Sequence, residues 1–270
     1  MTDVFGEKNR KYTIVDYFGY NLSPKERMSA IKAAGFDGVI LLWADYFDED
    51  YREFPKYAAE AGLFVENAHA PYRYSNAIWE DNLTGQEYIE HLMQCVQECS
   101  VYRIPTLVVH PINGMVPLPN QYNIEIGIRR FQELLSQAEK QEINIAIENQ
   151  GNPEYIDLVF KYIQSNRLCF CFDSGHERYY SPEWNLLERY GDKLAALHLH
   201  DNDGTCDAHA LPFTGKVNWN RIADKLEQIE YQGAIALETL NEGFEQIKDP
   251  IEFLRIALER AKRVGGQNFE

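Results

Sequence analysis

The sequence has no apolar run close to the roughly 20 residues that a membrane-spanning helix needs. Residues 1–5 also lack a basic stretch followed by an apolar one, so we expect no secretory signal peptide. The five cysteines are an odd number and none forms a C-x-x-C pair, which argues against a disulfide framework. We therefore expect a protein of the reducing cytoplasm that has no membrane association.

Basic residues are also scarce, since 26 Lys and Arg stand against 42 Asp and Glu and the net charge is −16. Nucleic-acid-binding surfaces carry an excess of Lys and Arg, and no basic cluster other than Arg129-Arg130 occurs here. The charge balance therefore favours a small-molecule ligand over a nucleic acid. It leaves the oligomeric state open.

The chain instead contains a repeated pattern, in which a short β-type run is followed by an amphipathic helical segment. Eight such units in 270 residues fit the typical length of a (β/α)8 TIM barrel. The alternative is a doubly wound open sheet, which usually has fewer strands and often begins with a Gly-rich phosphate loop that is absent here. We predict one TIM-barrel domain over residues 1–270, with strands at 12–18, 38–43, 63–68, 106–110, 143–148, 168–172, 194–200 and 234–238.

Local signals place several helix ends. Ser23 followed by Pro24 and Glu26 predicts a capping box, and Gly35 predicts the end of that helix. Thr84 predicts the start of a longer helix, and a last helix is predicted over residues 250–264.

Six of the eight strands end in side chains that bind divalent metals. In a barrel the C-terminal strand ends form one mouth, so these side chains are expected to converge there. Alternation supports this orientation, because small Ala146 and Cys171 share a face with Glu148 and Asp173, whereas bulky residues take the opposite face. The strand-end residues are His69, His110, Glu148, Asp173, His198 or His200, and Glu238.

Two short spacings add to the strand ends. Asp173 and His176 lie three residues apart after the sixth strand, and Asp207 and His209 form an Asp-x-His pair after the seventh. Mixed imidazole and carboxylate ligands suit Zn²⁺ or Mn²⁺ and disfavour a thiolate structural site. We therefore expect a divalent-metal site, Zn or Mn, at the C-terminal mouth of the strands. Periodicity does not choose between His198 and His200, which share a face.

Together these residues resemble the xylose isomerase-like TIM-barrel superfamily, which groups sugar isomerases and epimerases with the endonuclease IV enzymes. The resemblance is clearest from His69 to Glu238. Its shared site uses a Glu, an Asp, a His and a Glu after strands five to eight, and the pattern of His followed three residues later by Asp selects His198 with Asp201. The metal ligands that the resemblance implies are Glu148, Asp173, His198 and Glu238.

Endonuclease IV holds three zinc ions with additional ligands, and the matching residues here are His69, His110, His176, Asp207 and His209. Ketose 3-epimerases usually place an arginine a few residues after the strand-seven histidine. This chain has Asn202-Asp203-Gly204 at that place, which departs from the 3-epimerase pattern.

The resemblance implies a metal-dependent isomerase or epimerase of a sugar, sugar phosphate or related polyol. Glu148 and Glu238 would remove and return the proton next to a metal-polarised carbonyl. Trp43 and Tyr72, at other strand ends, are candidate apolar walls for the sugar ring. Two alternatives stay open: a three-zinc phosphodiesterase acting at abasic DNA, and a non-catalytic sugar-binding barrel.

Overall fold

A computed structural model describes residues 10–44 and 49–266 of the chain. Residues 1–5, where no signal peptide is predicted, lie outside the described residues. The eight strands are β1 (Tyr12–Val15), β2 (Gly38–Leu42), β3 (Phe64–His69), β4 (Thr106–Val109), β5 (Asn144–Glu148), β6 (Leu168–Asp173), β7 (Leu194–His198) and β8 (Ile235–Leu237).

Helices alternate with the strands. The α-helices of the described part are α1 (Pro24–Ala34), α2 (Phe54–Ala61), α3 (Leu83–Tyr102), α4 (Gln121–Gln141), α5 (Glu154–Tyr162), α6 (Ser174–Tyr180), α7 (Leu186–Tyr190), α8 (Trp219–Gln228) and α9 (Pro250–Val264). Short 3₁₀ turns cover Tyr51–Glu53, Ser75–Trp79 and Gly191–Lys193. None of the helices in residues 10–44 and 49–266 is both long enough and apolar enough to span a bilayer.

All neighbouring strands pair in parallel, in the order β7-β6-β5-β4-β3-β2-β1-β8. The two ends of this sheet meet at Leu199, whose N–H donates to Ala236 O at 2.9 Å and whose carbonyl accepts from Glu238 N at 3.1 Å. The eight parallel strands therefore form a (β/α)8 barrel, which confirms the predicted fold class.

The two faces of the strands differ as the alternation predicts. Ile145 and Ile147 of β5 belong to the large core beneath the helices. Ala146 instead belongs to a small separate cluster with Val108, Cys171 and Ala196, each of which shares a face with the ligand-type residue at its own strand end. Small side chains fill the barrel interior because eight strands leave little room there. The prediction that strand-end ligands point into the barrel is consistent with this packing.

Capping signals were predictive at some helix ends and wrong at one. Ser23 and Glu26 form the predicted capping box, and Gly35 ends α1 with a left-handed φ of 103°. α3 begins one residue before Thr84, because the side chain of Asn82 accepts from Gly85 N and caps the helix instead. Helices α6 and α7 were not predicted from the sequence.

Two places in the sheet carry one extra residue. Val39 pairs with Val65 and Ile40 with Asn67, so Glu66 is the additional residue on β3. A similar shift occurs between β6 and β7, where Ala195 is the additional residue. Such bulges re-aim neighbouring side chains and often lie beside functional sites. The bulge at Glu66 lies directly below the predicted ligand His69.

Candidate metal centre

Glu148, the last residue of β5, is the middle of the site. Its side chain is fully buried, and both oxygens face imidazoles. Oε2 lies 3.1 Å from His69 Nε2 and 3.0 Å from His110 Nε2. Oε1 lies 3.3 Å from both His176 Nδ1 and His198 Nδ1. Within residues 10–44 and 49–266, no lysine or arginine forms an ion pair with this carboxylate.

An inner group of ligand atoms surrounds Glu148. Glu238 Oε2 lies 3.2 Å from His198 Nδ1, the same nitrogen that faces Glu148. One ligand atom from each of Glu148, Asp173, His198 and Glu238 lies within 4.8 Å of the others. These four, which we call the inner group, come from the ends of β5, β6, β7 and β8.

An outer group lies next to the inner one. It consists of His176, His200, Asp207 and His209, whose ligand atoms also lie within 4.8 Å of one another. His176 Nε2 is 3.2 Å from Asp207 Oδ2, and His200 Nε2 is 3.0 Å from Asp173 Oδ1 of the inner group. Because His176 also contacts Glu148, the two groups are continuous.

The loop that carries Asp207 and His209 is held by Asp201. Its carboxylate accepts from Val217 N at 3.0 Å and from Trp219 Nε1 at 2.8 Å. Its backbone also pairs with Ala210 in both directions. The Asp three residues after His198 thus closes the loop that carries Asp207 and His209 of the outer group.

His200 is placed by the turn at the start of α6. Ser174 Oγ donates to His200 O at 2.7 Å and accepts from His200 N at 3.0 Å. A Cβ at Gly175 would lie 1.9 Å from the His200 ring, so only glycine leaves space for this imidazole. The sequence interpretation chose His198 and missed His200 as a member of the site. Their shared face was the available signal, since residues two apart on a strand both point into the mouth.

Two of the histidines have their tautomer set by backbone carbonyls. His69 Nδ1 donates to Ala70 O at 2.8 Å, and His209 Nδ1 donates to Glu238 O at 2.9 Å. In each ring Nε2 therefore carries the lone pair and points to the site. This arrangement is typical of metal-binding histidines, whose other nitrogen is held by an acceptor.

The charges of the site are strongly coupled. Burial opposes ionisation of Glu148, but the imidazoles of His198 and His110 outweigh it and hold the pKa of this carboxyl well below its usual range. Burial likewise opposes protonation of His198, but Cys171 and the carboxylates of Glu238 and Glu148 raise its pKa well above normal. Protons and a cation would compete for the same nitrogen, so we expect metal binding to release protons.

Several buried polar atoms of the site have no hydrogen-bond partner among the residues that the structure describes. Burying such an atom unpaired costs about 1–3 kcal/mol, more if it is charged. Lone-pair atoms that converge on one region without donors suit a divalent cation, and the imidazole and carboxylate donor set suits Zn²⁺ or Mn²⁺. Those that face the site are Asp173 Oδ2, His176 Nδ1, His200 Nε2, Asp207 Oδ1 and Glu238 Oε2.

The structure brings together all the predicted metal-ligand residues: His69, His110, Glu148, Asp173, His176, His198, Asp207, His209 and Glu238. Tyr72 also lies at the site, with its ring stacked on His110 at a centroid distance of 4.9 Å, and it is 38% exposed.

Trp43 lies elsewhere. It is fully buried, its Nε1 donates to Glu98 of α3 at 2.8 Å, and its ring packs against Tyr51 and Tyr102. At the end of its strand Trp43 faces the helices, so it cannot form a wall for a ligand in the mouth.

Comparison with known proteins agrees with the barrel fold. The chain matches the xylose isomerase-like TIM barrel family over residues 28–257. The chain belongs to this family. It is 34% identical over 118 residues to an uncharacterized protein of Sinorhizobium fredii, a match that covers 41% of this chain and 38% of that protein.

Two similar proteins are sugar 3-epimerases. A D-psicose 3-epimerase of Enterocloster bolteae is 24% identical over 236 residues, covering 79% of this chain and 76% of that protein. The structure of a D-psicose 3-epimerase from Clostridium cellulolyticum H10 superposes with a TM-score of 0.75 at 13% identity, covering 94% of this chain and 99% of the other. The second likeness shows a shared barrel fold.

Proposed function

We propose that this protein is a divalent-metal-dependent isomerase or epimerase of a small carbohydrate. The observation that carries the proposal is the pair Glu148 and Glu238, whose carboxylates both contact His198 Nδ1, at 3.3 and 3.2 Å. Two carboxylates beside one buried imidazole provide two proton-transfer groups and two anionic ligands in one place. The two 3-epimerases similar to this chain support the same class of reaction.

The inner group, Glu148, Asp173, His198 and Glu238, would hold the ion. A bound divalent ion supplies Lewis-acid polarisation of the substrate carbonyl. The outer group offers four further ligand atoms for a second ion. We propose Zn²⁺ or Mn²⁺, because three or more imidazole and carboxylate donors in each group suit both.

The two glutamates would divide the proton transfer between them. One glutamate, as the carboxylate, would remove the proton from the carbon next to the carbonyl. The other, protonated at that stage, would return a proton to the opposite face or to the neighbouring carbon. Burial of Glu148 keeps water from its oxygens, while Glu238 has a side chain that is 11% exposed towards the mouth. Tyr72 would form an apolar wall for the sugar, since its ring is exposed beside His110. We also propose a cytoplasmic location, which suits the five free cysteines.

The experiment that tests this proposal combines metal analysis with solvent-isotope exchange. Purified protein is loaded with zinc or manganese and incubated in D₂O with a panel of free and phosphorylated ketoses. We expect turnover with deuterium incorporated at the epimerised or isomerised carbon, and loss of turnover with a chelator.

Glu238→Gln keeps the side-chain size and should lower turnover by about 10³-fold, within the range of general acid–base contributions. Glu242→Gln is the matched control, because Glu242 lies in the loop after β8 and is exposed. Turnover by Glu238→Gln at the wild-type rate would contradict the proton-transfer role. A wild-type protein that holds no metal and ignores the chelator would favour a non-catalytic sugar-binding barrel.

A second candidate is phosphodiester hydrolysis at abasic DNA. The continuity of the inner and outer groups with His69 and His110 favours it, because this arrangement offers ligands for more than one ion. The net charge of −16 opposes it, since DNA binding requires basic surface. Cleavage of an abasic duplex that stops on chelation, without ketose turnover, would establish this activity instead.

A further inference from the structure

The extra residue in β3 brings two neighbouring side chains to the same side of the strand. In a regular strand Glu66 and Asn67 would point to opposite faces. The bulge re-aims them, so that Asn67 Nδ2 donates directly to Glu66 Oε2. Asn67 is fully buried, on the face that His69 occupies two residues later.

Asn67 also contacts a residue of the metal centre, His198. Its Oδ1 accepts from His198 Nε2 at 3.4 Å, while His198 Nδ1 faces Glu148 and Glu238. Two successive hydrogen bonds therefore connect Glu66, through the amide of Asn67, to the ring of His198. The ring of His198 is fully buried.

A side-chain amide differs from a backbone carbonyl as an acceptor. His69 and His209 donate to carbonyls of the main chain, which cannot turn round. The amide of Asn67 can flip and would then present NH₂ to His198, which would force the proton of the ring onto Nδ1. A carboxylate beside the amide accepts hydrogen bonds and donates none, so Glu66 holds Nδ2 on its own side.

We propose that Asn67, oriented by Glu66, is a positioning residue that keeps the proton of His198 on Nε2 and frees Nδ1 for the metal. This inference rests on the proposed metal centre. Removing an outer partner of a ligating histidine commonly weakens metal binding 10- to 100-fold. The bulge in β3 is then a device of this site, because without the extra residue Glu66 could not reach the amide.

The test measures zinc affinity by competition with a fluorescent chelator at fixed pH. Asn67→Ala should raise the zinc dissociation constant about 10- to 100-fold. Glu66→Ala should raise it by a smaller factor, about 3- to 10-fold, because the amide remains but is free to flip. Glu66→Gln retains an acceptor oxygen and should stay within about threefold of the wild type.

The matched control is Asn144→Ala. Asn144 is the first residue of β5, it is partly buried, and it accepts from Arg167 rather than from a residue of the metal centre. Long-range ¹H–¹⁵N NMR of the zinc-loaded protein gives a second readout, the tautomer of His198. The wild type should show protonated Nε2, and Asn67→Ala should show faster exchange of that proton with solvent.

Each outcome decides the inference. Wild-type affinity and an unchanged His198 tautomer in Asn67→Ala would overturn it, as would an equal loss in Asn144→Ala. If Asn67→Ala does not fold, Glu66→Ala carries the test, since Glu66 is only partly buried, and wild-type affinity there overturns the role of Glu66. A wild-type protein that binds no zinc would overturn the metal centre itself. Wild-type zinc affinity in Asn67→Ala would overturn only the positioning role, so the two failures are distinguishable.

Discussion

Asp16 after β1 and Glu148 at the end of β5 are both buried carboxylates at strand ends, but different groups surround them. Just after β1, Asp16 is 1% exposed; its Oδ1 accepts from Leu42 N at 2.9 Å and its Oδ2 lies 3.4 Å from the guanidinium of Arg27. Arg27 in turn pairs with Glu49 at 2.7 Å. At the end of β5, Glu148 faces imidazoles and the other carboxylates of the site instead.

The comparison shows that a carboxylate at a strand end is not by itself a ligand. Asp16 receives its cation from the protein, so its role is to hold the loop after β1 against α1. Glu148 has neighbours that are themselves lone-pair donors once they lose their protons, so the group as a whole needs a cation from solution. Whether a buried carboxylate is structural or a metal ligand therefore depends on whether its neighbours are cations or lone-pair donors.

The largest effect should come from Glu148→Gln, because this carboxylate joins the histidines of both groups. We expect bound metal to fall to a small fraction of the wild-type content and turnover to fall by more than about 10³-fold. Elemental analysis and the D₂O assay measure the two quantities. Asp16→Asn, the same change at the other strand end, should leave both unaltered per folded molecule. Equal losses in the two variants would erase the distinction between the two ends.

Arg27→Met should give the next largest effect, and on stability rather than on metal content. It leaves Asp16 buried without its cation, and removing one partner of a buried ion pair typically costs about 3–5 kcal/mol. Urea unfolding in the presence of a chelator measures the free energy of unfolding. Lys25→Met is the control, since the Lys25–Glu60 pair is exposed and should contribute at most about 1 kcal/mol. If Arg27→Met lowers the free energy of unfolding no more than Lys25→Met does, Asp16 can be buried without a cationic partner at little cost.

A smaller effect should appear in the pH dependence of stability. Burial raises the pKa of Asp16 to about 6, although Arg27 works in the opposite direction. Because the folded pKa lies above the ordinary value of 3.8, the stability linked to this proton is present below about pH 3.8 and lost as the pH rises through about 6.

The gap between these two values corresponds to about 3 kcal/mol. Asp16→Asn lacks this proton, so the stability of the metal-free wild type relative to Asp16→Asn should fall by up to about 3 kcal/mol between pH 3.5 and pH 7. Chelator is present throughout, so that the metal centre contributes alike to both proteins. A difference that stays constant with pH would show that Asp16 is ionised as readily folded as unfolded.

The smallest effect should separate the two aromatic residues. Tyr72→Leu should raise KM for the ketose several-fold, a change of about 1 kcal/mol, because the exposed ring beside His110 is lost. Trp43→Phe should leave KM unchanged and lower stability by at least about 1–2 kcal/mol, because it removes the hydrogen bond to Glu98 and leaves part of the buried ring volume empty. Steady-state kinetics and urea unfolding measure both. A KM that changes equally in the two variants would place Trp43 with the ligand.

Much of the barrel could be predicted from local patterns. The alternation of apolar residues located all eight strands, and the capping box at Ser23 located the start of α1. Thr84 was misread because Asn82, two residues earlier, offers the same kind of capping oxygen in a better position. Helices α6 and α7 were missed because they are short and depend on tertiary contacts more than on periodicity.

Most residues of the site could also be predicted from the sequence. Strand ends of a barrel meet at one mouth, so residues far apart in sequence could be grouped by position alone. The prediction for Trp43 was wrong because a strand-end residue faces either the mouth or the helices, and the alternation of β2 places Trp43 with Leu41 on the helix side. His200 was missed because the family pattern selects only His198, although the two share a face. Asn67 was missed because its role depends on which nitrogen of His198 it faces.

By itself, the sequence determined the eight-fold alternation and the identity of the side chain that ends each strand, because strand pleat and helix capping depend on residues close together in the chain. The tertiary structure alone decided which buried carboxylate meets an arginine and which meets histidines. It also decided where the bulge turns Glu66 and Asn67 towards His198. These outcomes depend on distances between separate strands, which no local pattern encodes.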